Sequence, residues 1–358
     1  MRLDEIRAEL PVLDKLAYLN AGTFGPLPRR SADAITEWTK RSLAEGRFGQ
    51  AFFEEVIEMR TRLREVIGAL IGADASTLAI TTSTTEGCNI VVSGLGLGPG
   101  DEVVTTDSEH PGLLGGLRAA GVQVREAAVS KAPAADAIDV IEREITPATK
   151  LVALSHVLWT TGQVIPVERL AGREVPLLVD GAQAVGAIPV DVGAIDFYTV
   201  SGQKWLCGPD ATGALYVRAE RLEELAMRAP SYFSWASFDW EPQPDARRFE
   251  ASWTPPGSLA GLLASLDFAA EVGEERFALA RAATERCREV VAERARVVTE
   301  PDQATLVSFE PRDPAAEVVE RLFEAGVVVR DLPQTGWVRA SCGFWTSEED
   351  LERLAASI

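Results

Sequence analysis

The sequence predicts an α/β doubly wound fold, and three observations carry that prediction. Seven short apolar runs between residues 78 and 217 are separated, in many cases, by helical stretches. Most of these runs are continuously apolar rather than alternating, as parallel strands buried on both faces must be. The chain has 358 residues, 46% of them hydrophobic and 25% charged, so it can bury a substantial core. At roughly 150 residues per domain that length predicts about two domains.

In chain order the expected strands are 78–82, 103–106, 122–127, 151–155, 177–180, 197–200 and 213–217. They make a mostly parallel seven-stranded sheet, with the α/β pattern running from about residue 20 to 230. The glycine-rich run at 94–100 follows a helix rather than a strand. Pro99 stands where a dinucleotide fingerprint needs its third glycine, so the run reads as a helix stop and turn. Residues 231–257 change character: Tyr232, Phe233, Trp235, Phe238, Trp240 and Trp253 lie among four prolines with little periodicity. That predicts a long irregular connection of functional or interfacial use. Helices follow at 259–270 and 274–295, then strands at 304–309 and 326–330 with a helix at 315–325 between them. A closing helix starts at the Ser347-x-x-Asp350 cap. The expected division is a large domain at 19–257 and a smaller α/β domain formed by 1–18 and 258–358.

Charge and composition exclude several functions. Thirty-five basic against 54 acidic residues give a net charge of −19, the wrong sign for nucleic acid or an anionic membrane. No apolar run is long enough to span a membrane, and the first fifteen residues are too charged for a signal peptide. Cys88, Cys207, Cys287 and Cys342 are far apart, and with only His110 and His156 no metal site is expected. P-loop, HExxH and GxSxG motifs are missing. A reduced, cytoplasmic enzyme is the expectation.

Three segments at strand ends carry chemistry together. Thr84 and Thr85, in TTEG, open a helix whose free N–H groups and hydroxyls suit a phosphate. Asp180 ends the run LLVD, where open α/β sheets bind ligands. Lys204, in SGQKW, follows the next buried strand, where an ammonium needs a partner or a reason to lose its proton. Taken singly, each has an ordinary explanation: a helix cap, a turn aspartate, a lysine reaching to the surface. Taken together they fit pyridoxal 5′-phosphate (PLP), with lysine bonding the aldehyde, aspartate holding the pyridine nitrogen protonated and the helix start taking the phosphate.

The segments VDGAQAVGAIPVDVGAIDFYTVSGQKW, TTEG, SEHPG and LSHVLWTTGQVIPV resemble the class V aminotransferase family of fold-type I PLP-dependent transferases. The resemblance covers nearly the whole chain, from Tyr18 to Asp350. It implies that Lys204 is the Schiff-base lysine and moves the Cα proton, that Asp180 pairs with the ring nitrogen, and that Gln183 faces the ring hydroxyl. His110 would stack on the ring as a third catalytic residue. Thr84, Thr85, Ser201 and Gln203 would hold the phosphate, although the family commonly has histidine at the position of Gln203. Arg339 and Arg330 would bind the substrate carboxylate, bordered by Asn20, Ala21 and Trp159. It further implies a homodimer, with Trp253 and Thr254 reaching the neighbouring cofactor.

Local motifs look closest to the cyst(e)ine C–S lyases. A desulfurase needs a nucleophilic cysteine between the two arginines, and the segment 331–338 has none. The expected reaction is therefore β-elimination on a cysteine-derived amino acid, such as cystine or an S-conjugate. It yields pyruvate, ammonia and a thiol or persulfide. Transamination and Cα epimerisation are the alternatives, because both begin with the same proton removal; desulfuration ranks below them. A PLP-fold binding module is the non-enzymatic alternative, against which the intact Lys204, Asp180 and His110 argue.

Overall fold

The computed structural model describes residues 1–251 and 253–358. The chain opens with helix α1 (Leu3–Ala8), strand β1 (Ala17–Tyr18) and two long helices, α2 (Arg29–Glu45) and α3 (Gly49–Ile71). The alternating units follow: β2 (Leu78–Thr81), α4 (Thr84–Gly94), β3 (Glu102–Thr106), α5 (Pro111–Ala120), β4 (Gln123–Ala127) and α6 (Ala137–Glu144). Strands β5 (Thr149–Ser155), β6 (Leu177–Asp180), β7 (Phe197–Ser201) and β8 (Gly213–Val217) complete the sheet. Its order is β2-β8-β7-β6-β5-β3-β4, and β8 alone runs against the other six.

Every residue of β2, β6, β7 and β8 is buried, which is why these strands read as unbroken apolar runs. Strand β4 lies at the sheet edge and buries only Ala127 fully, so it can carry Gln123, Arg125 and Glu126. Because β2, β3, β5, β6 and β7 point the same way, their C-terminal ends share one edge of the sheet. Pairing brings Ser155 beside Asp180 and Asp180 beside Thr199 there.

The C-terminal part comprises α7 (Pro256–Val272), α8 (Glu275–Ala292), β9 (Arg296–Val297), β10 (Leu306–Glu310), α9 (Ala315–Glu324), β11 (Val327–Val328), β12 (Arg330–Leu332), β13 (Trp337–Ser341) and α10 (Glu348–Ser357). Four of its strands form an antiparallel sheet in the order β12-β13-β10-β9. The single strand expected at 326–330 is divided, because the chain changes partner. Strand β11 pairs in parallel with β1, whereas β12 turns to pair with β13. The glycine run after α4 is a helix stop and turn, with left-handed glycines at 96 and 100. Residues 231–251 hold two short 3-10 turns and no strand or α-helix. The closing helix is capped as expected: Asp350 N–H donates to Ser347 Oγ, and Ser347 N–H donates to the Asp350 carboxylate. Arg7 of α1 reaches the same carboxylate at 2.6 Å, which ties the N-terminus to the last helix.

Helices α2 and α3, which the strand-centred reading does not assign, pack with α7 over one face of the sheet. A Cβ at Gly261 would come within 2.9 Å of Ile35, so the glycine sets how closely α7 can approach α2. Ser31 Oγ donates to the Gly261 carbonyl across that contact at 2.8 Å. Helix α7 buries Leu259, Leu262, Leu266, Phe268 and Val272, and it is apolar on several faces because it lies between two cores. Among the described residues no helix is long and apolar enough to cross a membrane.

Beneath the irregular connection lies a buried ionic cluster. Glu250 accepts hydrogen bonds from Arg60 (2.6 Å), Arg64 (2.8 Å) and the Ile80 amide (3.0 Å), so it fastens the connection to α3 and β2. Arg60 and Glu250 are each 2% exposed. Glu250→Ala would leave two guanidinium groups buried beside each other without their carboxylate. It should cost about 3–5 kcal/mol of stability, read from the denaturant midpoint at unchanged m-value.

Candidate active site

The edge at which the parallel strands end gathers the expected residues. Asp180 closes β6 and is 3% exposed. Its Oδ1 accepts hydrogen bonds from the Ala182 amide (2.9 Å) and Thr199 Oγ1 (3.3 Å), so the carboxylate is held in one orientation. Its Oδ2 accepts none from a described residue. A Cβ at Gly181 would fall 2.1 Å from the Tyr198 ring, so only glycine permits this turn directly after the aspartate.

The loop after β7 presents Lys204. A Cβ at Gly202 would collide with Thr212, and one at Gly25 would lie 2.1 Å from the Lys204 carbonyl. The Gly25 amide also donates to the Gln203 carbonyl at 2.8 Å, so the N-terminal loop clasps the lysine backbone. The Lys204 ammonium makes no hydrogen bond to a described residue. Burial brings its pKa down to about 8; the field of Asp180 opposes that shift, and Arg339 and Arg330 reinforce it.

His110 precedes α5 and caps it, its Nδ1 accepting from the Gly112 amide at 3.0 Å, which assigns the proton of the neutral ring to Nε2. Burial, then the positive charge of Lys204, lowers its pKa. The ring meets Trp159 edge-on at 5.3 Å. A Cβ at Gly112 would be 2.5 Å from Thr85 Oγ1, so this glycine lets the first turns of α4 and α5 meet. In α4, Ser83 Oγ accepts from the Glu86 amide while Thr82 donates twice to the Glu86 carboxylate. The N–H groups of Thr84 and Thr85 are left as open donors of that turn. Ser201 Oγ donates to Gln203 Oε1 at 2.9 Å, and the Gln203 amide hydrogens have no partner among the described residues. Gln183 is held on both sides: its Nε2 donates to the Gly22 carbonyl (2.8 Å), and its Oε1 accepts from Trp205 Nε1 (2.9 Å).

The small sheet supplies the arginines. Arg330 and Arg339 stand directly opposite on β12 and β13. Arg339 is fully buried, and among the described residues neither arginine has a carboxylate partner. Arg339 Nη1 donates to the Trp159 carbonyl at 2.7 Å, and its Nε has no partner. Burial, then Arg330, lowers the pKa of Arg339 to about 9. The Trp159 indole N–H is likewise buried and unpaired. Arg330 lies 5.9 Å from the Trp159 ring centroid. A buried, donor-rich, acceptor-poor pocket of this kind fits a ligand carrying phosphate and carboxylate groups. Together with the strand-end lysine and aspartate, it fits PLP bearing an amino-acid substrate.

Asn20 and Ala21 lie beside this cluster in the loop after β1, where Asn20 bridges to Ser341 of β13 and Ala21 is fully buried. Thr254 is buried with its hydroxyl unpaired, and no hydrogen bond joins it to the Lys204 cluster. The sequence reading missed Thr23, whose hydroxyl touches both arginines, and Glu109, which accepts from Thr106 (2.6 Å) and Ser155 (2.5 Å). Thr23 lies two residues beyond Ala21, and Glu109 lies within SEHPG. Their own residue types carried no signal, because the contacts to Ser155 and to the two arginines are distant in sequence.

The model of the class-V aminotransferase family matches residues 17–354. Isopenicillin N epimerase of Streptomyces clavuligerus is 31% identical over 99% of this chain and 97% of its own. A probable cysteine desulfurase of Methanothermobacter thermautotrophicus is 32% identical, covering 77% of this chain and 72% of that protein. Among solved structures, the cystine C–S lyase C-DES in complex with its product cysteine persulfide superposes with a TM-score of 0.90. It is 31% identical and covers 97% of this chain and 98% of that one. A mutant of C-DES with glycine covalently linked to its PLP cofactor gives a TM-score of 0.91 at 31% identity, covering 98% of each chain. With its mixed seven-stranded sheet and smaller C-terminal sheet, this chain has the fold-type I architecture and belongs to the class-V aminotransferase family.

Proposed function

We propose that this PLP-dependent enzyme is a carbon–sulfur lyase that carries out β-elimination on cystine or a related cysteine conjugate. The observation that carries the reading is the state of its thiols. All four cysteines are free and buried, and none lies between Arg330 and Arg339. Burial pushes the thiols of Cys88 and Cys207 up. Cys342 is pushed up by a side-chain hydrogen bond with the Cys287 thiol and then by burial. A sulfur acceptor must be an exposed thiolate, so transfer of sulfur to the protein has no candidate here.

The chemistry that bound PLP supplies is an electron sink for the charge that develops at Cα. Asp180, its Oδ1 occupied by Ala182 and Thr199, would hold the proton at the ring nitrogen and so keep that sink effective. Lys204, its pKa already low, takes the Cα proton as an amine. Arg339 and Arg330 fix the substrate carboxylate and thereby the torsion that aligns the Cα–H bond. His110, its pKa lowered, would lie against the cofactor ring as a neutral imidazole. The Thr84 and Thr85 amides, with Ser201 and Gln203, would hold the phosphate. The Cβ–S bond then breaks, sulfur leaves with its electron pair, and the released three-carbon enamine hydrolyses to pyruvate and ammonia. Epimerisation is a second reading, supported by the whole-length similarity to isopenicillin N epimerase. It shares the proton removal and needs no leaving group.

We also infer a homodimer. Tyr232, Phe238, Trp240 and Trp253 are exposed together with Phe53 and Ile57, and several of them line an aromatic cavity of about 590 Å³. A patch of that character is uncomfortable in water, and a second copy would cover it. Light scattering should return twice the chain mass, and Phe238→Asp with Trp240→Asp should halve it. A fully active wild-type monomer would contradict the inference.

Two further outcomes are expected. Cystine should yield pyruvate, and replacing all four cysteines by serine should leave most of that rate in a folded variant. Alanine from cysteine, lost in one folded Cys→Ser variant, would instead establish desulfuration, while a racemised amino acid without pyruvate would establish epimerisation. In the cofactor-free protein, capture of PLP followed by visible absorbance should accelerate as pH rises through about 8 and then level off. Only the neutral amine reacts, and Lys204 loses its proton near that pH. A midpoint at the ordinary lysine value of 10.5 would refute the assignment.

A further inference from the structure

We propose that Thr23 is a positioning residue that gathers Arg330 and Arg339 onto a single substrate carboxylate; this rests on reading the arginine pair as the carboxylate site. Thr23 Oγ1 accepts from Arg330 Nη1 at 3.3 Å and from Arg339 Nη2 at 3.4 Å. Its own proton is committed to Asn20 Oδ1 at 2.8 Å, so the hydroxyl's lone pairs are turned toward the guanidinium groups. The oxygen thus bridges two cations that face each other across β12 and β13 and repel.

The loop carrying Thr23 is fixed at several points. The Ser341 amide donates to the Leu19 carbonyl at 2.8 Å. The Gly22 carbonyl accepts from Gln183 Nε2, which joins the loop to the sheet edge that holds Asp180. A Cβ at Gly22 would lie 2.7 Å from Arg339 Nη2, so glycine is needed for the arginine to reach its neighbour. Thr23 therefore stands between the sheet edge and the arginines, with little freedom to move away.

A neutral acceptor is the appropriate group for this task. A carboxylate at position 23 would neutralise the arginines and compete with substrate. An apolar side chain would let the two guanidinium groups move apart. The long bonds to a hydroxyl hold the pair together and still yield to the stronger, charge-assisted bonds that an incoming carboxylate offers.

The test uses the holoenzyme and two probes that differ only in the carboxylate, glycine and methylamine, titrated by the visible absorbance of the bound cofactor. Wild type should bind glycine more tightly than methylamine. Thr23→Val, which keeps the shape and removes the acceptor, should weaken glycine by about tenfold and leave methylamine unchanged. Thr23→Ser should restore glycine affinity. Thr23→Asp should abolish the preference for glycine over methylamine. With the reacting amino acid, Thr23→Val should raise KM at nearly constant kcat. Unchanged glycine affinity in Thr23→Val, or loss not rescued by serine, would overturn the role of Thr23 alone. A wild type that fails to distinguish glycine from methylamine would overturn the arginine site and this proposal together.

Discussion

A chain with net charge −19 collects three cations, Lys204, Arg330 and Arg339, in one pocket, and the carboxylate whose field bears on the lysine is Asp180. That local shortage of negative charge is the constraint on which the site depends. Buried cations are costly unless anions join them. Burial holds Lys204 near the point of deprotonation and Arg339 well below the usual guanidinium range. A phosphate and a substrate carboxylate supply what the protein withholds. The same excess of positive charge, added to burial, lowers the pKa of His110 and so favours its neutral ring.

Holding such a pocket together requires backbone to pass where side chains cannot. Gly181 turns the chain after Asp180, Gly25 lets the N-terminal loop reach the Lys204 carbonyl, and Gly22 makes room for Arg339. These approaches bring the end of β6 against β7, the N-terminal loop against the segment after β7, and the same loop against β13 of the small sheet. The arrangement is rigid at the carboxylate, where Asp180 is pinned by the Ala182 amide and Thr199. The Lys204 ammonium, by contrast, makes no hydrogen bond to a described residue.

The choice of reaction rests on placement rather than on cofactor. Every thiol is buried, Cys207 just past the lysine and Cys287 and Cys342 in the core under the small sheet. Beside the arginines stands Trp159, whose carbonyl accepts from Arg339 and whose indole N–H has no partner among the described residues. An aromatic wall and two arginines suit a carboxylate with a polarisable substituent. They contain no protein nucleophile for its sulfur.

Much of this was legible in the residues. Continuous apolar runs identify buried parallel strands, because only a strand covered on both faces can afford no polar alternation. Asp180 and Lys204 stand out because charge at the end of such a run needs a reason. The resemblance of SEHPG, TTEG and SGQKW to a known family then gave the remaining residues their expected roles. Other features depend on contacts that linear order does not reveal. The run at 326–330 divides because β1 and β13 compete for it. Strand β13 escaped notice because a central arginine interrupts its apolar pattern, and that arginine is tolerated only because a pocket forms around it. Thr23 lies 307 residues from Arg330, and an isolated threonine looks like any other loop residue. Its hydroxyl gains meaning only when folding brings two guanidinium groups to it, since hydrogen bonds depend on distance in space and not on distance along the chain.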